Sequence, residues 1–292
     1  MDIQTPPAKE PTTIRYRLKR DAEDFVTRWQ GWWQSKRFRL GIYAAGALFL
    51  LLLLFWVLFA RNLPDAEALI EYESPLPTVV RDINGQPFHS YARERRVQLE
   101  YADFPKTLVH AYLAAEDKTF FSHGGIDYPG IVSAIFDNIF SDKRSRGAST
   151  ITQQVAKNLL LTNEYSYTRK VKEAILAKRI ESALTKQQIL SLYLNEIALG
   201  RQSFGVEAAA QAYFGKSVDK LLLHEMAFLA ILPKAPSTYD PIRRRERALG
   251  RRDYVLREML DNGFITQGQY QTARAAPLGI LPRAATAPNL NM

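Results

Sequence analysis

An uninterrupted apolar block is the feature that most constrains this chain of 292 residues. Residues 41–60 read GIYAAGALFLLLLLFWVLFA and contain no charged side chain. As a helix, this length covers the roughly 30 Å hydrocarbon core of a bilayer. Aromatic residues suited to the membrane interfaces lie near its two ends (Trp32, Trp33, Tyr43 and Trp56). A buried core helix or a cleaved signal sequence is the alternative, but no small-residue cleavage site follows the block. The block therefore predicts one transmembrane helix.

The charges on the two sides of the block predict its orientation. Residues 1–40 carry nine Lys or Arg, whereas residues 61–80 carry Arg61 against four acids (Asp65, Glu67, Glu71 and Glu73). Positively charged flanks stay in the cytoplasm, so residues 1–40 are predicted to be a cytoplasmic tail and residues 61–292 extracytoplasmic. This topology opposes a nucleic-acid partner.

Composition narrows the chemistry further. The net charge is +9, of which +4 belongs to residues 1–40 and +5 to the remainder, which suits an anionic partner outside the membrane. The chain has no cysteine, which excludes a disulfide scaffold, a zinc–thiolate site and a cysteine nucleophile. Four scattered histidines oppose a histidine-built metal site. No metal ligands are predicted.

The extracytoplasmic part changes character at residue 105. Residues 61–104 are predicted to be a linker with a small β element, in which Thr78–Asp82 enters an Asn84-Gly85 hairpin turn and Val97–Leu99 forms a further strand. Helical patterns follow, with Thr185 and Thr266 as N-caps. They cover residues 105–116, 127–140, 149–161, 166–184, 186–197, 204–214, 222–232, 245–261 and 266–275. The fold class is mainly α, with a basic loop at 142–147 and a loose tail at 283–292.

The first chemistry-bearing segment is residues 116–127, EDKTFFSHGGID. Glu116 and Asp117 end an apolar helix, and Phe120 and His123 follow. A carboxyl group beside aromatic rings can have a raised pKa and act as a general base. The alternative is that both acids lie on the surface and His123 caps the helix.

The second segment, residues 147–158, reads GASTITQQVAKN. Helical spacing places Thr150, Gln154, Lys157 and Asn158 on one face, with Gln153 beside them. Helix-start amides with a lysine suit a phosphate or a sugar. A capped and solvated helix face is the alternative.

The third segment, residues 169–181, places Arg169 and Lys170 beside Glu173. Cations beside one carboxylate suit a pyrophosphate leaving group, although a plain helical ion pair, worth about 0.3–0.5 kcal/mol, explains Arg169 and Glu173 as well. Lys234 is an isolated cation in a proline-bounded loop, where a solvated lysine is the alternative. Asn195 is predicted to be a C-terminal cap, and the helix face with Arg251 is predicted to be mainly structural.

Five motifs taken together, in this order and spacing, are far more specific than any one of them. They are EDKTFFSHGGID (116–127), GASTITQQ (147–154), RKVKEAILAKRIE (169–181), KQQILSLYLN (186–195) and RRDYVLREM (251–259). The set resembles the peptidoglycan glycosyltransferase domain (glycosyltransferase family 51) of class A penicillin-binding proteins over about residues 76–282. Ala148 departs from the glycine usual there. The resemblance implies a lysozyme-like glycosyltransferase domain at 105–282, behind the transmembrane helix of a bacterial inner-membrane protein.

The resemblance also implies the reaction. In this reaction lipid II is polymerised into β-1,4 glycan strands, with inversion at the anomeric carbon and release of polyprenyl pyrophosphate. Moenomycin inhibits enzymes of this family. Glu116 matches the general base and Glu173 the second essential carboxylate. Matching substrate-binding positions are Asp117, Phe120, His123, Thr150, Gln153, Gln154, Lys157, Asn158, Arg169, Lys170 and Lys234, of which Phe120 and His123 are expected to shape the surroundings of the base. No cofactor is certain, and a divalent cation (Mg or Mn) at the donor pyrophosphate stays open.

The implied partners are lipid II, the lipid-linked glycan chain and the membrane, with other cell-wall synthesis proteins left open. The apolar face of 127–140 is implied to meet the bilayer, against the alternative of ordinary core packing. A lysozyme-like lytic enzyme and a non-catalytic membrane-anchored scaffold remain rival functions.

Of the transpeptidase motifs only Ser217–Lys220 fits one, by chance. We therefore expect a piece of a longer bifunctional protein.

Overall fold

The computed structural model of the chain describes residues 21, 23–28, 35–70, 72, 78–81, 83–84, 87–91, 97–140, 149–161 and 166–282. These residues belong to two compact units, Met1–Asn62 and Leu63–Met292. The predicted basic loop at 142–147, the tail at 283–292 and most of the cytoplasmic tail lie outside the described residues. The predictions made for those segments therefore stay predictions.

The apolar block is helical over its whole length. Helix α1 covers Lys36–Phe55 and continues as one π-helical turn, Trp56–Ala60. It begins at Ser35, whose hydroxyl accepts a hydrogen bond from the Phe38 N–H at 3.1 Å. The resulting 25-residue helix is long and apolar enough to cross a membrane by length and composition.

A short β-hairpin precedes the helices of the second unit. Strand β1 (Thr78–Arg81) pairs antiparallel with β2 (Pro87–Tyr91), and Thr78 lies opposite Tyr91. The predicted hairpin is therefore confirmed, although Gly85 lies outside the described residues.

The further strand predicted at Val97–Leu99 is wrong. The Leu99 N–H donates to Asn195 Oδ1 at 3.0 Å, and Asn195 Nδ2 donates to the Leu99 carbonyl at 2.9 Å. Because one side-chain amide satisfies both backbone groups of Leu99, this segment needs no partner strand. The same contact replaces the predicted helix-capping role of Asn195.

Nine helices account for most of the described part of the second unit. They are α2 (Lys106–Glu116), α3 (Tyr128–Phe140), α4 (Ile151–Val155), α5 (Tyr167–Ala183), α6 (Lys186–Glu196), α7 (Val206–Phe214), α8 (Leu223–Leu229), α9 (Arg245–Asp261) and α10 (Gln267–Ala275). A π-helical turn, Ala156–Leu160, extends α4, and 3-10 turns cover Glu67–Leu69, Tyr101–Asp103, Val218–Lys220 and Leu232–Lys234. Thr185 and Thr266 cap α6 and α10 through reciprocal bonds with the glutamine three residues later, as predicted. The mainly α class is confirmed.

The helices pack in two groups that meet at the end of α2. Helix α9 packs against α2, α8 and α10, whereas α4 packs against α5 and α6. The fully buried rings of Tyr112 on α2 and Tyr193 on α6 join the two groups, with ring centroids 6.1 Å apart in an edge-to-face arrangement. The carboxyl end of α2 therefore lies where side chains from both groups converge.

A buried cation fastens the last helix. Arg252 on α9 is 1% exposed and donates hydrogen bonds to the carbonyl oxygens of Ala276 (2.7 Å) and Arg274 (2.8 Å). Its guanidinium also pairs with Asp253 at 2.8 Å. Because a buried charge must be paired and hydrogen-bonded, these contacts fix the end of α10 against α9.

Candidate active site

Glu116 is the last residue of α2, and its carboxylate is held by a chain of hydrogen bonds. Gln154 on α4 donates its Nε2 proton to Glu116 Oε2 at 2.7 Å. The Tyr193 hydroxyl in turn donates to Gln154 Oε1 at 3.4 Å, which orients the amide. Burial raises the pKa of Glu116 above its ordinary value, although the Gln154 hydrogen bond opposes the shift. This carboxyl group therefore has the environment of a general base.

Two cationic side chains on different elements affect the pKa of Glu116. Lys234 ends the 3-10 turn after α8, and Arg251 lies on α9 with its guanidinium carbon 4.3 Å from the centre of the Tyr254 ring. The positive charges of both side chains lower the pKa of Glu116 and partly offset the effect of burial. Sequence reasoning missed Arg251. The sequence signal that could have indicated this role is that Arg251 lies on an otherwise apolar helix face.

Two aromatic residues close the protein side of the site. Burial and the charge of Glu116 raise the pKa values of Tyr112 and Tyr193 well above the ordinary value, so both remain neutral phenols. The Tyr112 hydroxyl is buried without a hydrogen-bond partner among the described residues. The two buried phenols therefore lie within the electrostatic reach of Glu116. Tyr193 was not predicted from the sequence as a site residue.

Asp117, which follows Glu116 in the chain, forms a hydrogen-bonded pair with His123. Both carboxylate oxygens of Asp117 lie 3.0 Å from His123 Nε2, and Oδ2 also accepts the Ile151 N–H at 3.0 Å. The Gly125 N–H donates to His123 Nδ1 at 3.1 Å, which assigns the ring proton to Nε2. The alternative of a surface-exposed Asp117 is wrong, because this side chain is buried. The substrate contacts expected of Asp117 and His123 stay predictions.

The loop after α2 is fixed to the beginning of α4. Thr150 caps α4, exchanges bonds with Gln153, and donates its hydroxyl proton to the Gly125 carbonyl at 2.6 Å. Phe120 is fully buried beneath Lys186, whose Nζ lies 4.3 Å from the ring centre and donates to the His123 carbonyl at 2.6 Å. Thr150, Gln153 and Phe120 therefore shape the site from inside the protein.

The second carboxylate, Glu173 on α5, is 1% exposed and lies against two cations. Arg169 Nε is 3.1 Å from Oε1 and Lys170 Nζ is 2.6 Å from Oε2. Lys170 Nζ also lies 3.2 Å from Ser149 Oγ, one residue before the N-cap Thr150 of α4. Hence α4 contacts Glu116 through Gln154, and Ser149, two residues before α4, contacts the cluster around Glu173. The predicted ion pair is confirmed, and the cluster has one more positive than negative charge.

Lys157 and Asn158 follow the regular part of α4. They lie in the π-helical turn Ala156–Leu160, which changes the register relative to an α-helix. Thr150 is buried, Gln154 and Lys157 are half-buried, and Asn158 is exposed. The single helical face predicted for these four residues is therefore wrong, although Gln154 reaches Glu116 as a site residue would.

Sequence comparison places this arrangement in a known family. A family model described as Transglycosylase matches residues 84–260, which is more than half of the chain. The chain belongs to the transglycosylase family. The expected mainly α, lysozyme-like glycosyltransferase fold is thereby confirmed. The expected link to penicillin-binding proteins is confirmed by relatives that carry that name.

The relatives of this transglycosylase are considerably longer. Penicillin-binding protein 1A of Rickettsia felis is 47% identical over 229 residues, which cover 77% of this chain and 29% of the relative. Penicillin-binding protein 1A of Escherichia coli K12 is 47% identical over 213 residues, which cover 73% of this chain and 25% of the relative. A crystal structure of penicillin-binding protein 1A from Haemophilus influenzae matches with TM-score 0.43 and 30% identity, over 73% of this chain and 22% of that one. The chain therefore spans under a third of the length of these proteins.

Among the residues that the structure describes, the side chains around Glu173 do not by themselves form a site for a divalent cation. Glu173, the carboxylate expected near the pyrophosphate, already lies against Arg169 and Lys170. Among the described residues, no group of three His, Cys, Asp or Glu side chains is placed to hold a metal ion. An oxygen-ligand site for Mg²⁺ would need further carboxylates or substrate phosphates. Cationic side chains are the groups available there for an anion.

Proposed function

We propose that this transglycosylase polymerises lipid II into β-1,4-linked glycan strands. The observation that carries the proposal is Glu116, a largely buried carboxylate of raised pKa, oriented by Gln154 and flanked by Lys234 and Arg251. A general base needs this combination of position and basicity. The cationic group around Glu173 supplies the second requirement, positive charge for a leaving anion.

The proposed reaction is an inverting displacement. The 4-hydroxyl of a GlcNAc unit on lipid II attacks the anomeric carbon of the lipid-linked glycan chain. Glu116 accepts the hydroxyl proton as the new C–O bond forms, and the bond to polyprenyl pyrophosphate breaks on the opposite face. Lys157, Arg169 and Lys170 stabilise the negative charge that develops on the leaving pyrophosphate. Glu173 holds Arg169 and Lys170 in position for this task.

The proposed location follows from α1 and its flanks. The basic residues before α1 retain the amino terminus in the cytoplasm, so the chain crosses the bacterial inner membrane once. Residues 61–292 then lie on the periplasmic side. Both substrates are lipid-borne, so they remain in the same membrane that anchors the enzyme.

Polymerisation of lipid II by the wild-type chain and by Glu116→Gln tests the proposal directly. The wild type is expected to form glycan polymer that moenomycin suppresses, whereas Glu116→Gln loses about 10²–10⁴-fold in rate. Glu67→Gln, an exposed carboxylate outside the site, is the matched control. Parallel incubation with finished peptidoglycan separates the rivals. Release of soluble fragments without polymerisation would show a lytic enzyme, and no Glu116-dependent activity on either material would support a scaffold.

A further inference from the structure

Four exposed arginines stand at the beginning of α9, where the proposed reaction gives them no role. Arg243, Arg244, Arg245 and Arg247, here called the arginine cluster, have Glu246 as the only acid within their segment. Together with Ile242 and Glu246 they line an open depression of about 520 Å³. So dense a positive surface attracts anions.

The segment that carries the arginine cluster lies between two cations of the site. Lys234 precedes residues 235–250 and Arg251 follows them, and the positive charges of both lower the pKa of Glu116. Arg247 precedes Arg251 by one turn of α9, so their side chains share a helix face about 6 Å apart along the axis. Arg247 therefore links the arginine cluster to Arg251 along one face of α9.

Backbone contacts fix the turn that carries the cluster. Asp240 Oδ1 accepts hydrogen bonds from the N–H groups of Ile242 (2.9 Å) and Arg243 (2.8 Å). These bonds lower the pKa of Asp240, with additional effects from the charges of Arg243 and Arg201. The carboxylate is thus engaged in holding the turn, and the arginine side chains remain exposed.

We propose that the arginine cluster is a binding subsite for an anionic group of the substrate whose hydroxyl Glu116 deprotonates. This rests on the proposed function. Guanidinium groups bind carboxylates and pyrophosphates through paired N–H donors, and all four cations of the cluster are arginines. Lipid II carries both kinds of anion, in its peptide carboxylates and in its pyrophosphate. The subsite therefore contributes to substrate affinity at a distance from the reacting sugar.

Steady-state kinetics of Arg244→Gln/Arg247→Gln test this role in the full chain. The double variant is expected to raise KM for lipid II by about tenfold with little change in kcat, because it removes binding rather than chemistry. The difference should shrink at about 1 M salt, where screening reduces the reach of exposed charges. Arg257→Gln, an exposed arginine further along α9, is the matched control and should keep the wild-type KM.

A lipid-linked disaccharide without its peptide distinguishes the two anions. If the cluster binds peptide carboxylates, the tenfold difference disappears with the peptide-free substrate. If it binds pyrophosphate, the difference remains. An unchanged KM for both substrates in a folded variant would overturn the proposal.

Direct binding separates failure of this subsite from failure of the proposed function. Inorganic pyrophosphate and a soluble acidic pentapeptide are titrated into the full chain in detergent, and binding of each is followed by isothermal titration calorimetry. Loss of at least fivefold in affinity for one probe in the double variant, but not in Arg257→Gln, supports the subsite even if no polymer forms. Equal affinity of wild type and double variant for both probes contradicts it, whatever the polymerisation result.

Discussion

The basicity of Glu116 is a balance between its neighbours. Burial raises its pKa, while the Gln154 hydrogen bond and the charges of Arg251 and Lys234 lower it. A fully desolvated carboxylate would remain protonated at neutral pH, and a fully solvated one would be a weak base. The cations therefore allow a buried carboxylate to be ionised and still basic enough to take a proton.

The pH dependence of both activity and stability should report this balance. Because a general base must be ionised, kcat/KM is expected to fall at acid pH with a midpoint above 4.5, the ordinary value for glutamate. A carboxyl group with a raised folded-state pKa favours folding below its unfolded pKa, and this contribution is lost as the pH rises through the folded pKa. Glu116→Gln should therefore unfold at a higher temperature than wild type at pH 7.5. A lower Tm in calorimetry would contradict the assigned environment.

Arg251 offers a separate test of the same carboxylate. Its positive charge lowers the pKa of Glu116, so Arg251→Gln should move the acid limb of kcat/KM to higher pH. The pH profile is measured alongside Arg257→Gln, which carries the same substitution at an exposed position of α9. Coincident acid limbs for all three proteins would show that Arg251 does not act on the base.

Site residues were predictable from the sequence where a chemically suitable side chain also lies at the spacing of a recognisable motif. Glu116, Gln154, Arg169, Lys170 and Glu173 meet in the groups expected from their motifs. Arg251 and Tyr193 were not predicted as site residues, because a helical pattern shows which residues share a face but not what that face contacts. Their positions depend on how α9 and α6 pack against the end of α2.

Between elements, the geometry of the site depends on the loop from α2 to α3. Gly125 has a φ of +88°, and a Cβ there would lie 2.8 Å from the Ala177 carbonyl oxygen on α5. The same residue accepts the Thr150 hydroxyl and donates to His123. One glycine thus lets the loop touch α5 while holding the first turn of α4.

Gly125→Ala and Gly124→Ala form a matched pair for this loop. Gly125→Ala should destabilise the protein by about 1–3 kcal/mol and reduce polymerisation, because the backbone conformation and the Ala177 contact both disfavour a side chain. Gly124→Ala meets only the flexible end of Lys178, at 3.3 Å, and should change stability far less. Urea denaturation measures both. Equal losses for the two variants would show that the close approach at Gly125 is unimportant.

Helices were predicted correctly where the apolar residues repeat at helical spacing over a long stretch of the sequence. The helices of the second unit and the caps Thr185 and Thr266 occur as expected. Two local predictions were wrong for a common reason. The Val97–Leu99 strand is replaced by a tertiary contact with Asn195, and the face shared by Thr150 and Asn158 is interrupted by a π-helical turn. Neither event leaves a periodic signal in the sequence.

At the scale of the whole molecule, a lipid-borne substrate requires a surface that meets the membrane. Helix α3 exposes Tyr128, Val132 and Phe136 at a spacing of four residues, and each side chain is more than half exposed. The alternative of ordinary core packing does not account for this stripe, although Ala134 on the same helix is buried. An apolar helix face beside a polar body is typical of an interfacial segment.

The absence of cysteine makes this membrane contact measurable in the full chain. Phe136→Cys, labelled with an environment-sensitive fluorophore and reconstituted in lipid nanodiscs, should show blue-shifted emission that lipid-attached quenchers reduce. Ile83→Cys at the fully exposed hairpin turn is the control and should be quenched much less. Emission from position 136 that is as water-like as that from position 83 would mean that α3 faces solvent. The proposed lipid-borne substrate would then have to reach Glu116 by another surface.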